Sequence, residues 1–345
     1  AIIDGLGGSQ NPFLPSQWLA DGLLAIARGD LATAGFSLLL LGANAAFFLY
    51  LAVLLAEASF YDGWTRLLAS DEQAPRAAHG RGILGRLDGW LAFVPEPTRS
   101  LVVKDIRLFW REPSQWSQFL ILFGILALYL ANLGNSAPTS LDADTWRAWG
   151  TLLNVGASLL ILASLTTRFV FPLISLEGRR IWILGMSPVP LRRVVWQKFG
   201  LSVVSTSLFT VSLTVFSAWQ LGLEGSGFAV SLLAVIAATF ALSGLAVGLG
   251  SLYPSFDADD PARIVSGLGG TLNFILSMVY VVLIAAGLGV VLLWGWIDER
   301  FGARFGPEVY PWAVAIASLW ILGLTAVTGG LPLRFGLRHL DRIEI

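Results

Sequence analysis

FGLSVVSTSLFTVSLTVFSAWQLGLEGSGFAVSLLAVIAATFALSGLAVGLGSL, residues 199–252, carries a single charged side chain, Glu224, in its whole length. That glutamate stands in a short glycine-rich turn, residues 222–227, and an apolar run of more than twenty residues lies on either side of it. A helix rises about 1.5 Å per residue, so about 20 apolar residues cross the ~30 Å hydrocarbon core of a bilayer. Backbone amides in lipid have no water to bond, so runs of this kind satisfy their polar groups internally, as helices. The stretch therefore predicts two membrane-crossing helices joined by a tight turn.

The same pattern recurs along the chain. Apolar runs at 31–56, 118–133, 149–167, 271–296 and 312–331 join 199–221 and 228–252, about seven spans in all. Run 118–133 is the shortest and needs Trp116 as an interfacial anchor. Residues 264–296 are too long for one straight crossing, so this span is expected to begin as an interfacial segment. The expected fold is an all-α polytopic transmembrane helix bundle. Composition agrees. Of 345 residues, 55% are hydrophobic and only 13% charged, against about 25% charged in a soluble domain. A water-soluble enzyme is excluded as the default. There is no Cys, hence no disulfide framework or thiolate chemistry. His79 and His339 are the only histidines, too few for a zinc or haem site. No cofactor is expected.

Placement of the basic residues sets the orientation, because cytoplasmic loops are enriched in Lys and Arg. Seventeen fall on one side: Arg66 to Arg111 after the first span, Arg179 to Lys198 after the third, Arg263 after the fifth, and Arg334, Arg338 and Arg342 at the end. Four fall opposite (Arg28, Arg147, Arg300 and Arg304), and Arg168 sits near a span end where it can snorkel. The C-terminus is expected inside. The N-terminus then falls outside. Since Ala1 is not an initiator Met and no signal peptide precedes it, the expectation is a piece of a longer protein. Residues 1–56 read as an outside segment plus the last span of a preceding module. That segment includes a short amphipathic helix through Trp18, Leu19, Leu23 and Ile26. Residues 57–100 read as a cytoplasmic linker, and 101–345 as a self-consistent six-span unit with both ends inside.

Three segments could carry function. In LVVKDIRLFWREP, 101–113, Val102, Val103, Ile106, Phe109 and Trp110 share one helical face, while Lys104, Arg107 and Arg111 share another with Asp105 beyond them. This is an amphipathic helix on the inner leaflet, at minimum a juxtamembrane anchor. In 169–199, a helix-compatible stretch at 176–184 sets Glu177, Arg179 and Arg180 beside Trp182 before Pro188 and Pro190 break it. Arg and Trp are hot-spot residues at interfaces, although positive-inside charge with an interfacial Trp accounts for the composition as well. In YPSFDADDPARIVSGLGG, 253–270, Asp257, Asp259 and Asp260 could suggest a cation site. Asp260 as N-cap with Pro261 in the first helical position is the better reading.

Within the spans, Gly244 and Gly248 give span five a small face for close packing, and Ser202, Ser205, Ser207 and Ser212 give span four a polar stripe. Acidic residues are absent from the spans, which argues against proton- or sodium-driven transport. A phosphate-binding loop, GxxxxGK[ST], is absent too, because the only two lysines, Lys104 and Lys198, precede Asp105 and Phe199. If ATP drives this chain, another chain binds it.

The segments KDIRLFWREPSQWSQ (104–118), LEGRRIWILGMSPVP (176–190) and FDADDPARIVSGLGGTLN (256–273) resemble the permease subunits of bacterial ABC-2-type exporters, in particular large permeases with two such modules. NPFLPSQWLADGLLAIARGD (11–30) resembles their mid-chain outside segment. The resemblance implies that 101–113 is the elbow helix opening a six-span module, with Lys104, Asp105, Arg107, Trp110 and Arg111 on it. It implies that 176–184 is a coupling helix docked on an ATPase subunit, with Glu177, Gly178, Arg179, Arg180 and Trp182 as its working residues. The implied protein is a non-enzymatic permease in the bacterial cytoplasmic membrane. Its partners are an ABC ATPase, the bilayer, and either a missing N-terminal module or a second permease copy; no nucleic acid is involved. The loop at 297–311 is shorter than the outside re-entrant helices of some relatives. Two other classes stay open: a membrane-embedded lipid- or isoprenoid-processing enzyme, for which only the Asp257–Asp260 loop offers residues, and a structural subunit of a membrane complex.

Overall fold

In the computed structural model the described residues are 15–70, 95–111, 143–180, 190–223, 225–256, 260–300 and 308–340, with isolated positions at 117, 118, 120, 121, 124, 125 and 186. Every element among them is helical. The chain forms two compact units, Ala1–Gly85 and Arg86–Ile345. Six described helices are long and apolar enough to cross a membrane. They correspond to six of the seven expected spans; the remaining one, 118–133, lies largely outside the described residues.

The first unit is a helical pair. Helix α1 (Pro15–Arg28) packs on α2 (Leu31–Ser70), and Gly22 lies against Ser37 where they touch. Gly29 makes the turn at φ +78°, a conformation open to Gly at little cost. Asp30 then caps α2: it accepts the Thr33 amide at 3.1 Å and the Thr33 hydroxyl at 2.6 Å. Helix α2 has 40 residues and runs on to Ser70, past the expected end at Ala56. Its polar residues from Glu57 onward simply continue the helix beyond the apolar run.

In the second unit, α3 (Glu96–Arg111) precedes α4 (Ala143–Leu165), α5 (Leu191–Leu221), α6 (Gly225–Leu252), α7 (Pro261–Val265), α8 (Leu268–Leu292), α9 (Trp294–Arg300) and α10 (Tyr310–Leu340). The central helix is α6, on which α4, α5, α8 and α10 all pack, and every residue from Ala241 to Gly250 is buried. Its small residues allow this. A β-carbon on Gly244 would stand 2.8 Å from the Gly329 carbonyl oxygen, and one on Gly248 would stand 2.5 Å from the Leu333 amide. The sequence-predicted small face is therefore the α6–α10 contact, with backbone against backbone. Hydroxyl pairs stitch α5 to α6: Ser202 donates to Ser243 (2.9 Å) and Ser207 to Thr239 (3.1 Å). Ser205 and Ser212, grouped with them in sequence, instead bond carbonyls of their own helix. The buried polar stripe of α5 is Ser202, Thr206, Thr210, Thr214 and Ser217.

Two expectations about helix shape change. Span 149–167 does not end where its apolar run does. The helix continues to Glu177 through a π turn (Thr166–Val170) and 3-10 turns at Phe171–Leu173 and Ser175–Arg180. Residues 175–180 are accordingly a 3-10 extension of α4, where a separate α-helix over 176–184 was expected; 181–185 lie outside the described residues. Pro172 contributes no amide, and the Phe171 carbonyl presses on Gly250 where a β-carbon would stand. Both favour leaving α geometry here. Asn273 donates to Thr167 at 2.7 Å across the π turn, a buried tie between α4 and α8. The long sixth span divides into the short α7 and then α8, and it ends at Leu292, short of the expected Trp296, with α9 a separate helix. Asp260 caps α7 by accepting the Ala262 amide at 2.9 Å, with Pro261 in the first turn.

A candidate coupling site at the start of the bundle

Both lysines of the chain meet in one place. Lys104 of α3 reaches both carboxylate oxygens of Glu177, at 2.7 and 2.8 Å. Lys198 of α5 stands 2.7 Å from the same carboxylate and 3.4 Å from Asp105. Lys104 also lies 3.5 Å from Asp105, and Gln197 donates to Asp105 at 3.1 Å. Two positive and two negative groups from three elements, α3, α5 and the 3-10 extension of α4, thus balance one another. Lys198 is 2% exposed and Asp105 9%.

The local sequence explains the convergence. Helix α5 is 31 residues long, so counting about 20 residues inward from Leu221 puts Lys198 near the end of the hydrocarbon. Its side chain is buried, as are Val194 and Val195 one turn before it. Val103 and Asp105 form the buried edge of α3, which begins at Glu96, one turn earlier than expected. Burying these charges unpaired would cost several kcal/mol each. Paired, they hold three elements in one arrangement.

All but one of the sequence-predicted elbow and coupling residues lie in described helices. Lys104, Asp105 and Glu177 are brought together. Glu177 faces inward into the ion cluster. Gly178, Arg179 and Arg180 follow it on the 3-10 turn, and Trp182 falls outside the described residues. Arg107 and Trp110 lie on the exposed side of α3, and Arg111 is its last residue. The apolar face drawn from periodicity put Trp110 with Val103, whereas Val103 is buried and Trp110 is 66% exposed. Sequence reasoning missed Lys198 and Gln197. A signal existed: Glu177 is the only acid between Asp144 and Glu224, and Lys198 is one of only two lysines.

In this arrangement each charged group is paired with a neighbour of opposite sign. Among the described residues no three His, Cys, Asp or Glu stand together as a metal site would require. Of the acidic loop, Asp260 is spent on its cap; Asp257 and Asp259 lie outside the described residues.

Residues 2–345 match a family described as "Putative ATP-binding cassette". The chain belongs to this family. Membership relates it to ABC transporters, and its long apolar helices make it a membrane component of that kind. No curated protein and no solved structure matches the chain significantly.

Proposed function

We propose that the chain is the membrane-spanning permease of an ATP-driven exporter of the ABC-2 type, seated in the bacterial cytoplasmic membrane with its C-terminus inside. The ATPase is a separate subunit. The family name speaks of an ATP-binding cassette, yet neither lysine of this chain sits in a GxxxxGK[ST] loop, so the reading assigns nucleotide chemistry to the partner. A second permease copy or an N-terminal module completes the pathway.

The observation that carries this reading is the ion cluster. ATP binding closes the partner ATPases and displaces the turn at 175–180, which they grip. Glu177 is tied to Lys104 and Lys198, so the turn cannot move alone. Separating it leaves buried charges unpaired, at about 3–5 kcal/mol. The displacement passes instead to α3 and α5 as rigid bodies, and the bundle alternates its access. Glu177 acts here as the inner anchor of the turn, and ATPase contact falls to residues after it.

The test is affinity capture of the tagged full chain from its native membranes. The reading expects an ATPase with a phosphate-binding loop to co-purify. It further expects Glu177→Gln to keep that association while uncoupling ATP turnover from export. Capture of the intact chain with no such ATPase overturns it.

A further inference from the structure

Three buried polar side chains outside the ion cluster stand at one depth in the bundle. Asn154 of α4 is 1% exposed and Ser231 of α6 is 0% exposed, and neither amide atom of Asn154 nor the Ser231 hydroxyl has a hydrogen-bond partner. Ser217 of α5 is 5% exposed. Contacts between the helices fix the register. A β-carbon on Gly150 would lie 3.6 Å from Leu221, so α4 and α5 are level there. Asn154 and Ser217 each lie one turn inward from that level. Leu152 packs 3.6 Å from the β-position of Gly289, and Leu292 packs 3.4 Å from that of Gly227. At about 1.5 Å per residue these pins put Asn154 and Ser231 within about 2 Å of the same depth. Asn154 shares the face of Gly150 that turns toward α5, away from the exposed Leu153 and Leu160.

An orphan buried amide or hydroxyl costs roughly 1–3 kcal/mol, and lipid supplies no water to offset it. A bundle built only for packing would place Leu or Ala at these positions. Open donors and open acceptors together suit a group that both donates and accepts, a hydroxyl or an amide. Charge is unsuited: α6 has no Asp, Glu, Lys or Arg, α5 has none after Lys198, and α4 has none after Arg147. A charged molecule would enter unpaired.

We infer that Asn154, Ser231 and Ser217 line a cargo-binding site at this depth, where α4, α5, α6 and α8 pack together, that selects uncharged amphiphiles bearing hydroxyl or amide groups. As a cargo site it rests on the exporter reading. The chain has no native Cys, so single cysteines report without interference. The full chain carrying Asn154→Cys is placed in lipid nanodiscs, with and without its co-purified ATPase, and treated with N-ethylmaleimide. The probe is octyl glucoside below its micelle-forming concentration, and octanoate is the charged control. The inference expects modification, slowed at least fivefold by octyl glucoside and less than twofold by octanoate. Absence of modification, no protection, or equal protection by both overturns it. If Asn154→Cys does not fold, Ser231→Cys gives the same readout. Protection in a chain that captures no ATPase keeps the binding site and removes its role in export. An ATP-hydrolysing complex without protection removes the site and keeps the exporter.

Discussion

Replacing Lys198 by Met keeps the length of the stem and removes the charge that two carboxylates share. Asp105 and Glu177 then face Lys104 alone, leaving one negative charge uncompensated beside a site where Lys198 was 2% exposed. Removing one partner of a buried pair costs about 3–5 kcal/mol. At about 2–4 °C per kcal/mol for units of roughly this size, the melting point drops on the order of 10 °C. Lys104→Met leaves the same two carboxylates facing Lys198 alone, but its own side chain is 37% exposed, so water reaches the vacated place and the cost is the smaller of the two. The assay is thermal unfolding of the purified full chain in detergent, with Glu177→Gln as the third arm. Adding Glu177→Gln to Lys198→Met discharges the orphan carboxylate, so the double variant is more stable than the sum of the singles by at least about 1 kcal/mol. Equal melting of Lys198→Met and Lys104→Met, or strict additivity with Glu177→Gln, refutes the account of a shared buried junction.

Gly248→Ala puts a methyl group 2.5 Å from the Leu333 backbone amide, and backbone cannot yield, so it destabilises by about 1–3 kcal/mol. Gly156→Ala, with nothing within 4 Å of its β-position, leaves the melting point unchanged or slightly raised in the same assay. Thr167→Ala strands the buried Asn273 amide and costs about 1–3 kcal/mol; Asn273→Leu added to it recovers part of that loss in the same melts. Hydrogen bonds from the Thr33 hydroxyl and amide hold the Asp30 carboxyl below the usual carboxylate range. The cap therefore contributes above the unfolded value and is lost as pH falls through the lower folded one. Carboxyl carbon-13 titration should show the Asp30 value rising in Thr33→Ala, and an unmoved titration contradicts the cap.

What the sequence made legible was whatever depends on residues near one another in the chain. Continuous apolar runs located six described spans. Asp260 with Pro261 marked the start of α7, and Gly244 with Gly248 marked a close helix contact. The π and 3-10 turns after Leu165 were not legible. Their cause is tertiary: the Phe171 carbonyl seated on Gly250, and Asn273 reaching Thr167 from 106 residues away. Periodicity set Lys104 with Arg107 and Arg111 because it weighs each helix against water or lipid alone. In the fold, Lys104 and Asp105 turn toward charges 73 and 93 positions distant. Of the serine stripe of α5, Ser202 and Ser207 do meet α6, while Ser205 and Ser212 bond their own helix. The buried side of α5 follows the Thr206–Thr210–Thr214 ladder, whose hydroxyls bond carbonyls of their own helix.

The central claim is that this chain moves cargo and leaves ATP chemistry to a partner. Its most direct test is ATP hydrolysis by the purified chain, alone and in complex with the ATPase captured from its own membranes. The account predicts no turnover by the chain alone, and turnover in the complex that loses its coupling to export when Glu177 is neutralised. ATP hydrolysis by the isolated chain would contradict it.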